Sequence, residues 1–520
     1  MKKKKRPGNL GVDQIVIIGE SALVGAIAGV ITLAYRICLE YAGTWLSTIL
    51  SFAKGHPLRM AGWFAALALM ALVVSRLVKY EPLISGSGIP QVEGEMIGTI
   101  KQNWKRIMPT KFIGGFICML GGMALGREGP SIQLGAMAGK GVSRILGRKR
   151  TEEKFLLTCG AGAGLATAFH APLAGAMFAI EEIHKGFSVI AILSVMTSSL
   201  TSDYICTYVL GMQPVFNFQG SAQLEPKYYW LLIILGLILG IAGVFYNWFT
   251  LKVQSLYDKA KNLDPFFKLL VPFMLCGVLG FIMPQTLGGG HSLIESLCAE
   301  NMELTIVFVI LIIRLILGAV CFGSGAPGGI FLPMLVLGAF IGGAFAKTVF
   351  IFSDLDPALL TNFVTLAMAG FLTASVRAPL TGIILIFEMT GSANQFLSLS
   401  IVSLFAYIVP TLLKSKPIYD SLLSRILKKR DKAVDKNSVR IAKGEKVLSY
   451  FNVHHGSKLD GRRVMDINWP ENMLLVSIER GSEDIIPKGR TKLLTGDTIV
   501  VMHDEAHERI IRREMSRLDI

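Results

Sequence analysis

Residues 112–146 read FIGGFICMLGGMALGREGPSIQLGAMAGKGVSRIL. Two apolar, glycine-rich stretches flank the pentapeptide Gly126-Arg127-Glu128-Gly129-Pro130. The 14 residues before it make about 21 Å of helix and the 16 after it about 24 Å. Both fall short of a hydrocarbon core of about 30 Å. An arginine and a glutamate therefore sit where two helices break near the middle of a membrane layer. Non-helical backbone is tolerated at that depth only inside protein or beside a water-filled cavity.

The rest of the chain supports a membrane setting. Hydrophobic residues make up 52% of the 520, charged residues only 17%, and mean hydropathy is +0.54, which excludes an ordinary soluble domain. Apolar runs such as WLLIILGLILGIAGVFYNWF recur from about residue 14 to 413, and short alternating strands of the outer-membrane type are absent from this stretch. The fold class is an all-α polytopic membrane protein with broken helices. The opening MKKKKRPGNLG has no small-residue cleavage site after it and reads as a retained cytoplasmic tail, residues 1–12, ahead of a transport domain at 13–430. SRILKKRDK at 424–432 is basic too, so both ends of the membrane region are expected in the cytoplasm of a cell-membrane protein. The net charge of +15 is then positive-inside signal and lipid-facing snorkelling. No basic–aromatic surface suggests nucleic acid.

Three glycine-rich interruptions recur: ISGSGIP (84–90), GREGP (126–130) and FGSGAPGGIFLP (322–333). A helix that begins at midplane aims free N–H groups and its positive end inward. Glycine permits the tight approach and proline fits the first turn. Several such starts converging make an anion site without a full cation, strong enough to attract and weak enough to release. Small residues in membrane helices also serve simple packing, but three interruptions, one carrying Arg-Glu, favour a site. Glu128 there is able to occupy an anion position itself and leave when protonated; the alternative is that it merely pairs with Arg127. For Glu181 and Glu182, spacing leaves two readings open: a boundary cap facing water, or a proton relay.

The membrane region is duplicated. GAGLATAFHAPLAGAMFAIEE (162–182) aligns with AGFLTASVRAPLTGIILIFEM (369–389) at an offset of 207, matching Pro172 to Pro379, Gly175 to Gly382 and Glu181 to Glu388. Seven cysteines, none beyond Cys321, form no CxxC pair and read as small buried hydrophobes rather than a metal site or disulfide framework. No cofactor or metal is expected. Neither HExxH nor GxSxG occurs, and HDEAH at 503–507 has the wrong order, so an intramembrane enzyme finds no support.

In this order and spacing, GSGIP, GREGP, GSGAPGGIFLP and the two APL.G segments resemble the CLC family of chloride channels and chloride/proton exchangers over about residues 15–425. The resemblance implies the CLC fold: a homodimer with a pore in each subunit and two inverted halves. It implies that Ser87, beside Gly86, offers a hydroxyl to chloride, and that Ile330 and Phe331 offer backbone N–H groups. It implies that Tyr419 closes the cytoplasmic side, although by itself Tyr419 reads as an interface aromatic. Gly88, Ile89, Pro90, Gly126, Arg127, Gly129, Pro130, Gly328 and Gly329 complete the pore motifs. Glu128 matches the gating glutamate and Glu182 the internal proton-transfer glutamate of exchangers. Serine at 87 resembles the chloride-preferring members and glutamate at 182 the antiporters; a passive chloride channel is the alternative. His170 departs from the asparagine expected in close bacterial relatives; it fits either a hydrogen-bonded structural role or a titrating one.

After about residue 430 the apolar runs end. KVLSYFNV, MLLVSIER and TIVVMH read as strands and DEAHERIIRREMSRL as a closing helix, giving a soluble α+β domain at 431–520. The pattern from LDGRRV to TGDTIVVM resembles the TrkA C-terminal (RCK-C) domain. That implies dimer contact and regulation by a small molecule or nucleotide; a purely structural role fits as well. His503 and His507, four apart on the expected helix, lack a third metal ligand and read as a solvated face.

Overall fold

The computed structural model describes residues 10–520 apart from 213–214, 217–223, 261–262, 300–301, 392, 435–445, 455, 481–482, 505–506 and 519–520. The basic opening, residues 1–9, lies outside the described residues. The chain divides into two compact units, residues 1–96 with 102–424, and 425–520 with 97–101.

The first unit is helical. Its first half holds α1 (Leu10–Ala53), α2 (Pro57–Tyr80), α3 (Ile89–Met96), α4 (Trp104–Leu120), α5 (Glu128–Ile145), α6 (Arg150–Phe169), α7 (Pro172–Phe178) and α8 (Val189–Leu210). The second half repeats the order: α9 (Tyr229–Lys259), α10 (Pro265–Ile282), α11 (His291–Ala299), α12 (Leu304–Gly323), α13 (Phe331–Phe352), α14 (Leu360–Val376), α15 (Pro379–Thr390) and α16 (Phe396–Leu412). Helix α17 (Ile418–Val434) closes the series. Eight of the described helices are long and apolar enough to cross a membrane.

The halves correspond in detail. The short α3 matches α11; α5 and α13 each start at a glycine-rich loop; α6 and α14 each end on a left-handed residue, His170 (φ 53°) and Arg377 (φ 73°), followed by a proline-led helix. Two glutamates fix their relative direction. The Glu388 carboxylate near the end of α15 accepts from the N–H groups of Leu173 and Ala174 at the start of α7 (3.0 and 2.7 Å). Glu181, just past α7, accepts from Leu380 and Thr381 at the start of α15 (3.4 and 2.9 Å). Each end meets the other's beginning, so α7 and α15 run antiparallel and the repeat is inverted. Each carboxylate satisfies orphan N–H groups and faces the positive helix end. Glu181 thus caps the start of α15.

Helices α5, α13 and α14 form the centre, buried along most of their length. Close approach is built in by glycine: a Cβ on Gly135 of α5 would meet the Gly160 carbonyl at 2.1 Å, and one on Gly160 would meet that of Gly135 at 2.0 Å.

In the second unit, β1 (Lys446–Asn452), β2 (Met473–Arg480), β3 (Glu483–Ile485) and β4 (Thr498–Asp504) form an antiparallel sheet of order β1-β4-β2-β3, followed by α18 (Glu508–Leu518). Ile478, Ile499, Val501, Ile511 and Met515 make its core. The helix begins later than the sequence suggested, because the pairing of Lys446 with Asp504 carries the strand through residue 504. His503 is therefore not on a solvated helix face. It is buried in β4, with Nε2 2.9 Å from the Ser449 hydroxyl and Nδ1 2.9 Å from the Asp504 carbonyl.

Candidate functional site

The three interruptions are joined by backbone. Gly126 N–H donates to Gly329 O (2.7 Å) and Gly329 N–H returns to Gly126 O (2.8 Å). Gly86 N–H donates to Ala326 O (3.2 Å), and Gly328 N–H to Gly86 O (3.1 Å). Gly86 (φ 71°) and Gly88 (φ 97°) occupy the left-handed region that a side chain would resist. This stitching gathers the first turns of α3 (Ile89, Pro90), α5 (Glu128, Gly129, Pro130) and α13 (Phe331, with Ile330 as its cap). Gly129 lies so close to Ser87 that a Cβ there would be 2.3 Å from the hydroxyl.

Glu128 is fully buried. Its Oε2 accepts a long bond from Leu332 N–H (3.4 Å), and its Oε1 has no hydrogen-bond partner. Arg127 does not serve as that partner. Its Nη1 bonds Glu40 of α1 at 2.9 Å, while its Nε stays 4.0 Å from Glu128. The hydroxyls of Ser87 and Tyr419 are also buried without partners among the described residues. Such atoms are costly unless something polar meets them. Tyr419, at the start of α17, is completely buried, which rules out an interface aromatic.

Glu182 lies on a π-helical turn, Ala179–His184, that extends α7. The wider turn sends neighbouring glutamates to different places: Glu181 to the start of α15, Glu182 into a carboxylate cluster. Oxygens of Glu182, Glu93 and Asp420 lie within 4.8 Å of one another. Lys185 Nζ bonds Glu93 (2.6 Å) and Asp420 (2.7 Å). Asp420 directly follows Tyr419, so the carboxylate cluster and the buried hydroxyl share one helix start.

On the other side of the glycine loops, a cavity of about 800 Å³ is lined by Arg36, Glu40, Arg127, His170, Cys206 and Leu332 among others. It reaches the loop that carries Glu128. His170 Nδ1 is 2.7 Å from Asp203 Oδ1, a hydrogen-bonded arrangement.

Sequence reading missed a matched pair of cations. Lys111 of α4 is wholly buried and bonds the carbonyls of Ile84 and Gly86 (2.8 and 2.6 Å). Arg314 of α12, also buried, bonds those of Thr286, Gly288 and Gly289 (2.9, 2.7 and 2.7 Å). Each cation orders a glycine loop in its own half, and Gly288–Gly290 is a fourth interruption, before α11. The signal was present: a lone cation in an apolar run, in KFIGG and again in IIRLIL.

An inverted pair of eight-helix halves, with glycine-started helices meeting around a buried carboxylate, has the architecture of a membrane transport scaffold. The family model described as voltage gated chloride channel matches residues 66–411, and the TrkA-C domain model matches 448–514. The H+/Cl− exchange transporter ClcA of Citrobacter koseri is 35% identical over 443 residues, covering 83% of this chain and 93% of that one. The protein of the same description from Salmonella schwarzengrund is 35% identical over 427 residues (80% and 90%). The crystal structure of a slow cyanobacterial Cl−/H+ antiporter superposes with a TM-score of 0.76 at 30% identity, covering 80% of this chain and 99% of the other. The chain belongs to the voltage-gated chloride channel (CLC) family and carries a TrkA-C domain.

Proposed function

We propose that the protein is a secondary-active chloride/proton antiporter in which Glu128 is gate and proton carrier. The observation that carries this is the state of the Glu128 carboxylate: fully buried at a helix start, held by one long backbone bond and otherwise unpartnered. A carboxylate so placed competes with chloride for the positive start of α13. Protonation weakens its hold and frees the position; chloride then binds, and the proton moves with the departing side chain. Exchange follows because anion and carboxylate exclude each other.

Chloride is expected against Ser87, Tyr419 and the backbone N–H groups of Ile330 and Phe331, with Gly86 and Gly88 shaping the loop. Partial charges and hydroxyls suffice for an anion that must leave again. Glu182 passes protons between the cytoplasm and Glu128, supplied through the cluster with Glu93 and Asp420. The relatives named as H+/Cl− exchangers support this direction. We further propose a homodimer in the cell membrane, with both termini and the TrkA-C domain cytoplasmic, the latter contributing dimer contact and regulation by a small ligand.

The test uses proteoliposomes with an imposed chloride gradient and a pH readout. Uphill proton movement is expected, and Glu182→Gln should remove it while chloride flux persists. Chloride flux without proton movement in the unaltered protein would instead establish a passive channel.

A further inference from the structure

We propose that His170, Asp203 and Cys206 form a site for a zinc-class divalent ion on the wall of the cavity that leads to Glu128, and that its occupancy slows chloride exchange. One donor atom from each residue lies within 4.8 Å of the others. Asp203 and Cys206 stand three apart on α8 and so share a face, and His170 reaches them from the left-handed end of α6. The set mixes imidazole, carboxylate and sulfur, which suits zinc; a hard cation such as magnesium prefers oxygen alone. Three protein ligands with cavity water as the fourth make an open tetrahedral site.

The inverted half supplies a comparison inside the same molecule. Arg377 occupies the place of His170, and it bonds the Thr411 hydroxyl (2.9 Å) and the Ser415 carbonyl (2.7 Å) around the end of α16. Tying the helix end to its neighbour therefore needs only a donor, which arginine provides. The first half does the same task with three side chains that are all of metal-binding type, the Cys206 thiol also meeting the Thr167 carbonyl (3.8 Å). Cys206 is buried, with Arg36 Nη1 3.7 Å from its sulfur. His170 and Cys206 line the cavity, and the His170 and Asp203 side chains are each partly exposed.

Binding releases the Cys206 thiol proton, and any proton on the His170 nitrogen used, to bulk water. With Asp203 ionised, two negative ligands and a neutral imidazole match a dication. The His170–Asp203 gap of 2.7 Å must open to roughly 3.3 Å, the ligand spacing set by bonds of about 2.0 Å. The second carboxylate cluster, Glu93, Glu182 and Asp420, is no rival, since the Lys185 ammonium already bonds two of its members.

A thiolate-bound ion would draw Cys206 away from Arg36. Arg36 also bonds Glu40, which bonds Arg127 beside the gate. The effect on exchange rests on the antiporter reading; the binding does not.

Full-length protein in detergent is titrated with Co2+. One ion per chain should give tetrahedral visible bands and a thiolate-to-cobalt transition. Cys206→Ser should lose the charge-transfer band, and His170→Arg, which copies the second half, should bind at least about tenfold more weakly. No tetrahedral signature, or bands that survive in both variants, would overturn the site. In proteoliposomes, Zn2+ added on the cavity side should slow chloride flux in the unaltered protein and not in either variant. Flux indifferent to Zn2+ in protein that shows the cobalt signature would overturn the inhibitory role. Absence of any proton-coupled flux without metal would strike the antiporter reading alone.

Discussion

Gly126 and Gly329 exchange both of their backbone hydrogen bonds, at 2.7 and 2.8 Å, across the two halves of the molecule. This two-residue bridge places Glu128 at one helix start against Leu332 at the other. The backbone at Glu128 is therefore fixed by the bridge, while its side chain is held by one long hydrogen bond from Leu332 N–H (3.4 Å).

Replacing Glu128 by glutamine or alanine is expected to leave chloride flux while removing proton coupling. The neutral side chain neither competes with the anion nor carries a proton. Retained coupling in either variant, read by pH and chloride electrodes on the same vesicles, would refute the assigned role.

Gly129→Ala places a methyl group 2.3 Å from the Ser87 hydroxyl and 2.7 Å from its carbonyl oxygen. Backbone cannot yield there without moving the bridge. Chloride binding by calorimetry should weaken by at least about tenfold, the effect of about 1.4 kcal/mol, within the usual cost of overpacking. Gly62→Ala, where no atom lies within 4 Å, should change nothing.

Lys111→Met leaves the Ile84 and Gly86 carbonyls without their buried donor. A loss of roughly 2–6 kcal/mol in stability is expected, at about 1–3 kcal/mol for each buried carbonyl left unsatisfied. Thermal unfolding in detergent should drop accordingly, and Lys111→Arg should recover part of it. Arg314→Met should behave alike in the other half.

Lys185 is the ammonium that holds Glu93 and Asp420 beside Glu182. In Lys185→Met the three carboxylates repel, and proton delivery to Glu182 should fall several-fold relative to chloride flux. Lys185→Arg should restore the ratio. An unchanged ratio in the methionine variant would show that the cluster is structural only.

In the TrkA-C domain, burial works to raise the Asp497 pKa, but two hydrogen bonds from Arg480 (2.7 and 2.8 Å) and one from Leu494 N–H (2.8 Å) outweigh it and hold the group below its ordinary value. A depressed folded value stabilises the domain fully above the ordinary aspartate range of about 4, and the contribution disappears as pH falls through the folded value. Limited proteolysis of the full-length protein should cut the domain faster as pH drops below 4. Asp497→Asn should cut faster at pH 7, by the loss of roughly 1–3 kcal/mol, and show less change with pH.

Sequence alone determined the membrane class, the duplication, the glycine-proline helix starts and the strands 473–480 and 498–503, because hydropathy, periodicity and turn residues are local quantities. The glutamate of GREGP was legible for the same reason: one charge in an apolar run has few explanations. Tertiary structure decided what depends on distant partners. It gave Arg127 to Glu40, set Glu181 and Glu388 against each other's helices, and turned Glu182 into a cluster with Glu93, Lys185 and Asp420. It also buried His503 and carried its strand on to Asp504, where pairing with β1 prevails over a helical pattern in the residues that follow. The orientation of the repeat belongs to this second group. Hydropathy is the same read in either direction across a bilayer, and only the meeting of α7 with α15 shows that the halves are inverted.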